Sequence, residues 1–137
     1  MLFVDANIFL RAILQDDREK AENCIRLFEK IDRNKIGTAT SLLVINEIVW
    51  VLEGLGVEQK EIENRVNAIA QSNIKIVDGL CNEKILEALR YYRDAKIDFV
   101  NIINALIARD NRIKQIVSYD KHFDKINLVE RVEPQDV

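Results

Sequence analysis

Short apolar segments alternate with longer amphipathic ones along this chain, and that alternation is what most restricts its fold. Strands are predicted over Leu2–Val4, 35–39, Ile74–Val77 and 116–117. The first of them is apolar at every position, as strands buried on both faces of a parallel sheet are. Strands that alternate with helices predict an α/β fold, here a three-layer α/β/α sandwich with a central parallel sheet.

The segments between the strands carry apolar residues at spacings of three and four, which is typical of amphipathic helices. Asp16 and Asp17 are placed to cap a helix, as are Thr40 or Ser41, and Asp98 is placed to cap the last one. No repeat or proline-rich linker divides the chain, so residues 1–137 are predicted to form one domain. The helices are predicted over 8–14, Arg18–Asp32, 42–52, 57–70, 82–94 and 99–112, with a weak strand near 128–129.

The composition excludes several classes of protein. With 137 residues, of which 48% are hydrophobic, the chain can bury a core without disulfides. A net charge of −3 excludes a protein that binds nucleic acid through bulk positive charge, so any such contact must be local or bridged by metal. Cys24 and Cys81 lie far apart with no histidine near either one, and we expect both to be buried apolar residues rather than zinc ligands.

Neither a membrane span nor a secretory signal is predicted. The longest apolar run, residues 41–51, is interrupted by Asn46 and Glu47 and is shorter than a span requires. No basic region precedes the first apolar stretch, which reaches Asp5 directly. We therefore expect a cytoplasmic protein with no membrane partner.

Two carboxylates follow predicted strands. Asp5 comes directly after the first strand and Asp120 soon after the last of the apolar ones. Ligand sites of open parallel sheets lie at the C-terminal ends of the strands, so these side chains would meet if the two strands are neighbours. The alternative is that each carboxylate only caps a helix.

Glu47 is the third unusual carboxylate, because it lies in the middle of a strongly apolar helix. Charged groups are rarely buried unless they are paired or bind metal. The alternative is that Glu47 reaches solvent along a narrow polar stripe that it shares with Asn46.

Several carboxylates that converge without histidine or cysteine form an all-oxygen site suited to Mg²⁺ or Mn²⁺. Such ions activate water and stabilise the leaving oxygen in phosphodiester hydrolysis. A mechanism based on two histidines is excluded, because His122 is the only one. No glycine-rich phosphate-binding motif occurs, which excludes kinase, NTPase and dinucleotide-dependent enzymes.

Five segments in this order resemble the PIN domain family, and within it the VapC-type toxins of prokaryotic toxin–antitoxin modules. The resemblance covers essentially the whole chain, and the five together are specific although each alone is weak. The segments are 3–11 (FVDANIFLR), 16–17 (DD), 44–52 (VINEIVWVL), 98–101 (DFVN) and 116–123 (IVSYDKHF).

The resemblance implies a ribonuclease that binds Mg²⁺ or Mn²⁺ through acidic residues and hydrolyses single-stranded RNA. It also implies an antitoxin partner and a homodimer. The family's first acid matches Asp5, its second matches Glu47 and its last matches Asp120. Asn7 matches a small polar residue that orients the first acid or holds water, and Ser118 matches the serine or threonine before the last acid.

The third acid of the family pattern is missing, since its position holds Asn101. An amide oxygen can ligate a cation but brings no charge, so we expect weaker metal binding. Asp98 lies one helical turn earlier and could replace the missing ligand if it is not occupied as a cap, and Asn104, a turn later, is a second neutral candidate. The alternative functions are a PIN-fold protein with weakened catalysis that binds RNA or a partner, and a purely structural domain.

Overall fold

The computed structural model describes all residues, 1–137, and is built on a five-stranded parallel sheet. Its spatial order is β3-β2-β1-β4-β5, so the first strand of the chain lies at the centre. The strands are β1 (Leu2–Val4), β2 (Thr38–Ser41), β3 (Ile74–Val77), β4 (Gln115–Val117) and β5 (Glu130–Val132).

The two strands β1 and β2 are buried at every residue. Because successive side chains of a strand point to opposite faces, both faces of the sheet must be covered at these strands. Helices supply that cover, which confirms the predicted three-layer α/β/α sandwich. The core therefore lies on both sides of β1, with Phe3 and Val4 fully buried.

Six α-helices connect the strands. Their starts agree with side-chain capping at two predicted positions: Asp17 accepts a hydrogen bond from the backbone N–H of Lys20, and Ser41 accepts one from the backbone N–H of Val44. The helices are α1 (Ala6–Leu14), α2 (Arg18–Asp32), α3 (Leu42–Gly54), α4 (Gln59–Ala70), α5 (Asn82–Ala95) and α6 (Phe99–Asp110).

The sequence-based boundaries fail where local turns intervene. The predicted second strand, 35–39, begins only at Thr38, because Asn34 adopts a left-handed backbone conformation and the turn continues to Gly37. The weak strand expected near 128–129 forms at Glu130–Val132, beside β4. Two short 3₁₀ helices, Lys121–Lys125 and Pro134–Asp136, were not predicted.

One burial prediction is wrong. Cys24 is buried as expected, but Cys81 is exposed, because it lies at the N-cap of α5 rather than on an apolar helix face. The fold also contains no helix with both the length and the apolar character that crossing a bilayer demands.

Candidate active site at the carboxyl ends of β1 and β4

The first and last apolar strands, β1 and β4, are neighbours in the sheet, which fulfils the condition for Asp5 and Asp120 to meet. In the sheet register Val4 pairs with Val117, so the residues that follow the two strands emerge side by side. The backbone N–H of Asp5 donates to the carbonyl of Val117 at 3.2 Å. This pairing brings Asp5 next to Ser118, although 113 positions separate them in the sequence.

Asp5 is buried, with 3% of its surface exposed. Its Oδ2 accepts hydrogen bonds from Ser118 Oγ at 2.7 Å and from Asn7 Nδ2 at 2.6 Å, and its side chain makes no capping hydrogen bond to α1. Burial raises the pKa of Asp5 to about 7; the Ser118 hydrogen bond opposes this rise, and the charges of Glu47 and Asp120 add to it. The capping interpretation therefore does not describe Asp5.

Asn7 and Ser118 hold this corner of the site together. Asn7 Nδ2 also donates to Ser118 Oγ at 2.7 Å, and Asn7 Oδ1 accepts from the backbone N–H of Tyr119 at 3.1 Å. Ser118 Oγ in turn accepts from the backbone N–H of Asp120 at 2.9 Å. The two side chains thereby fix one oxygen of Asp5 and the backbone that leads to Asp120.

Glu47 extends from α3 and is half-buried. Its Oε2 is buried and has no hydrogen-bond partner. Burial raises the pKa of Glu47, and the charges of Asp98 and Asp120 raise it further. A side chain that simply reached solvent beside Asn46 would not leave an oxygen buried and unpaired, so the polar-stripe interpretation does not account for this atom.

Asp120 is held by neutral and basic neighbours. Asn101 lies on α6, is 6% exposed and donates from Nδ2 to Asp120 Oδ2 at 2.8 Å. The other carboxylate oxygen, Oδ1, accepts from the backbone N–H of His122 at 2.9 Å and lies 3.0 Å from His122 Nδ1. Asp120 thus caps the 3₁₀ helix and faces Asn101 at the same time.

The two candidate substitutes for the missing acid lie in different environments. Asp98 is exposed at the N-cap position of α6 and makes no capping hydrogen bond, so its expected capping contact does not form. Its charge nevertheless acts on Glu47. Asn104 is fully buried; its Oδ1 accepts a hydrogen bond from Ser41 Oγ at 2.6 Å, and its Nδ2 has no hydrogen-bond partner.

Arg131 is a supporting residue that the sequence analysis missed. Its side chain is 12% exposed, and its guanidinium donates to the carbonyl of Ser118 at 3.0 Å. It also contacts Asp124 and Glu133, each at 3.0 Å. Arg131 lies outside every recognised motif, so no sequence signal connects it with the loop between Ser118 and Asp120.

The donor set of this site fits a hard divalent cation. The structure does not bring three histidine, cysteine, aspartate or glutamate side chains close enough to ligate one ion. It does bring carboxylates close enough for the charges of Glu47 and Asp120 to add to the raised pKa of Asp5, and for those of Asp98 and Asp120 to add to the raised pKa of Glu47. Glu47 also has a buried, unpartnered oxygen, and the carboxyl of Asp5 is buried. A cation bound here would reduce the repulsion between the carboxylates and would give the unpartnered oxygen of Glu47 a ligand.

Comparison with known proteins identifies the family of this chain. The family model of the PIN domain matches residues 2–128, so the chain belongs to the PIN domain family. A VapC ribonuclease from Aquifex aeolicus (strain VF5) is 26% identical over 129 residues, which span 93% of each chain.

Solved structures share the fold over nearly their full length. VapC20 of Mycobacterium tuberculosis, described as a toxin that cleaves the sarcin-ricin loop, superposes with a TM-score of 0.77 at 17% identity and covers 98% of this chain and 100% of its own. VapBC2 from Rickettsia felis, bound to a DNA fragment from its promoter, gives a TM-score of 0.71 at 15% identity over 97% and 98% of the two chains.

Proposed function

We propose that this chain is a metal-dependent endoribonuclease that hydrolyses phosphodiester bonds of single-stranded RNA. The observation that carries the proposal is the buried, unpartnered Oε2 of Glu47, whose carboxyl lies close enough to Asp98 and Asp120 for their charges to raise its pKa. Such an oxygen is costly unless a cation completes it. Membership of the PIN family and the VapC ribonuclease relative support the same activity.

Asp5, Glu47 and Asp120 would hold Mg²⁺ or Mn²⁺, partly through bound water because the structure does not place all three carboxylates within ligating distance of one ion. Asp98 would lie at the exposed side and Asn101 would be a neutral neighbour. When bound, such an ion supplies an activated water and neutralises charge on the cleaved phosphate. Asn7 and Ser118 bind only Oδ2 of Asp5, which leaves Oδ1 without a side-chain hydrogen bond. The two residues therefore orient the Asp5 carboxyl and leave its Oδ1 available to a cation.

We further propose that the protein is the toxin of a toxin–antitoxin pair, acts in the cytoplasm and works as a single domain over residues 1–137. The similar structures include toxin–antitoxin complexes, which supports an antitoxin partner. A homodimer is supported by the apolar side chains that α3 exposes, among them Leu42 at 67% and Trp50 at 73%.

A second candidate function is a PIN-fold protein that binds RNA or a partner with weakened catalysis. The hydrogen bond from Asn101 to Asp120 favours it, because a neutral amide replaces the charge that a third acid would bring.

The test is cleavage of a fluorescent, unstructured RNA while Mg²⁺ or Mn²⁺ is titrated. Wild-type protein is expected to cleave only with metal, and Glu47→Gln to lose cleavage. Glu53→Gln is the matched control, since Glu53 is exposed on the same helix. Absence of metal-stimulated cleavage by wild type overturns the proposal, whereas RNA binding without cleavage would support the second candidate.

A further inference from the structure

A groove of about 540 Å³ runs between the C-terminal half of α5 and the segment that follows the 3₁₀ helix Lys121–Lys125. Arg90 and Tyr91 line it from α5, and Lys125 and Asn127 line it from the opposite wall. The groove is separate from the carboxylate site, and neither the family match nor the site geometry assigns it a role.

The groove offers positive charge that is not held in ion pairs. Arg90 and Lys125 are both exposed, and neither takes part in an ion pair within 4.0 Å. The two carboxylates that also line the groove have partners: Glu87 pairs with Arg109, which it meets through two hydrogen bonds, and Asp94 contacts Arg93 at 3.3 Å.

Both walls of the groove lead to the carboxylate site. Lys125 ends the 3₁₀ helix that begins directly after Asp120. The opposite wall, α5, ends at Ala95, three residues before Asp98. Two more exposed lysines without ion pairs adjoin the site in sequence: Lys96 directly follows α5, two residues before Asp98, and Lys121 directly follows Asp120.

A carboxylate site creates a difficulty for an RNA strand. A bound ion compensates the phosphate at the cleaved bond, but the neighbouring phosphates are repelled by the remaining carboxylates. A single strand is therefore held only if cations lie beside the site. With an overall net charge of −3, this chain can provide them only in a local cluster.

We propose that this groove binds the phosphodiester backbone of the RNA strand next to the cleaved bond, with Arg90 and Lys125 contacting phosphates. The inference rests on the proposed ribonuclease function. It adds a path for the strand that the carboxylates alone do not define, and it assigns Lys96 and Lys121 to the connection between groove and site.

The test measures binding of a fluorescein-labelled oligouridylate by anisotropy at several salt concentrations, in EDTA so that cleavage does not interfere. The double variant Arg90→Gln/Lys125→Gln is expected to bind about 10-fold more weakly. Its slope of log affinity against log salt should fall by about 1.4, since each phosphate contact of a single strand contributes about 0.7.

The matched control is Arg33→Gln/Lys75→Gln, which removes the same charge from two exposed side chains outside the groove and without ion pairs. Its slope should stay at the wild-type value. Equal losses of RNA affinity in both double variants would show a general charge effect and overturn the proposal. Tighter binding of polyglutamate than of RNA, lost in the groove variant, would overturn it as well.

The outcomes separate this proposal from the ribonuclease function. If the protein shows metal-stimulated cleavage and the groove variant keeps the wild-type salt slope, only the proposed RNA-binding role of the groove is refuted. If the wild-type protein does not cleave RNA but the groove variant loses RNA binding, the role of the groove is supported and the ribonuclease function is refuted. Thermal melts of both variants, expected to match wild type, show that the fold is intact.

Discussion

Asn101 Nδ2 donates a hydrogen bond to Asp120 Oδ2 at 2.8 Å, and the resemblance assigns the family's third carboxylate to the position of this amide. An aspartate at position 101 could not donate this bond when ionised and would add a like charge beside Asp120. The amide thus stabilises the carboxylate cluster in the absence of a cation, at the expense of charge that would attract one.

Asn101→Asp is therefore expected to have opposite effects on stability and on metal binding. Without metal, the variant should lose about 1.5–3 kcal/mol of unfolding free energy with the charge-assisted hydrogen bond. Its affinity for Mn²⁺ should rise, because an anion replaces an amide. For scale, two unit charges ~4 Å apart interact by about 4 kcal/mol at an effective dielectric of 20, before desolvation and carboxylate repulsion reduce the gain. Calorimetric titration and melts in EDTA check both effects, and unchanged Mn²⁺ affinity would show that position 101 does not face the ion.

Asp5 should make the metal-free protein less stable as the pH rises from about 4 to 7. In this range the unfolded chain ionises Asp5, whereas the folded protein, in which its pKa is raised to about 7, retains the proton. Folding thus binds protons, and stability falls with rising pH by up to about 4 kcal/mol from this group.

Asp5→Asn removes this dependence, so its stability relative to wild type should increase between pH 4 and 7 in EDTA. Denaturant unfolding at a series of pH values measures the difference. A constant difference across the range would contradict the burial of an ionisable group at position 5. The same variant should bind Mn²⁺ much more weakly, because a carboxylate ligand is lost.

Asp98→Asn should leave stability within about 0.5 kcal/mol of wild type, because Asp98 makes no capping hydrogen bond and is exposed. The pKa of Glu47 should fall, since Asp98 is the first of the two charges that raise it. NMR titration of the Glu47 carboxyl detects the shift. A loss of about 1 kcal/mol in Asp98→Ala, whose side chain cannot cap a helix as aspartate and asparagine can, would instead indicate that the cap forms in solution.

Arg131→Gln should destabilise the protein by about 1–3 kcal/mol, because it removes charge-assisted hydrogen bonds from a largely buried guanidinium. Since Arg131 holds the Ser118 carbonyl, the affinity for Mn²⁺ should fall as well, although Arg131 is not a ligand. Arg131→Lys keeps the charge but not the planar, forked guanidinium, so it should retain only part of the wild-type stability and Mn²⁺ affinity. Lost stability with unchanged Mn²⁺ affinity would show that the loop is positioned without Arg131.

The sequence predicted the parts of the fold that follow from local pattern. Leu2–Val4, Arg18–Asp32 and Ile74–Val77 are found with the expected bounds, because apolar spacing and turn residues act within a few positions. The meeting of Asp5 with the loop before Asp120 was predictable only on the condition that their strands are neighbours, a condition that the pairing of β1 with β4 fulfils.

Contacts between distant polar side chains could not be predicted in this way. Nothing in the sequence shows that Asn104 turns to Ser41, or that Arg131 reaches back to Ser118. These contacts depend on the angles at which helices and strands pack. The exposure of Cys81 was missed for a related reason, since its position at the start of α5 outweighs the usual burial of cysteine.

The central position of β1 has a consequence during protein synthesis. β1 is translated first, but it lies between β2 and β4, and β4 is made only when residues 115–117 leave the ribosome. Until then one edge of β1 is unpaired, and Asp5 has neither Ser118 nor Asp120 beside it. A nascent chain that stops before β4 therefore cannot assemble the carboxylate site. The site forms only after four of the five strands have been synthesised.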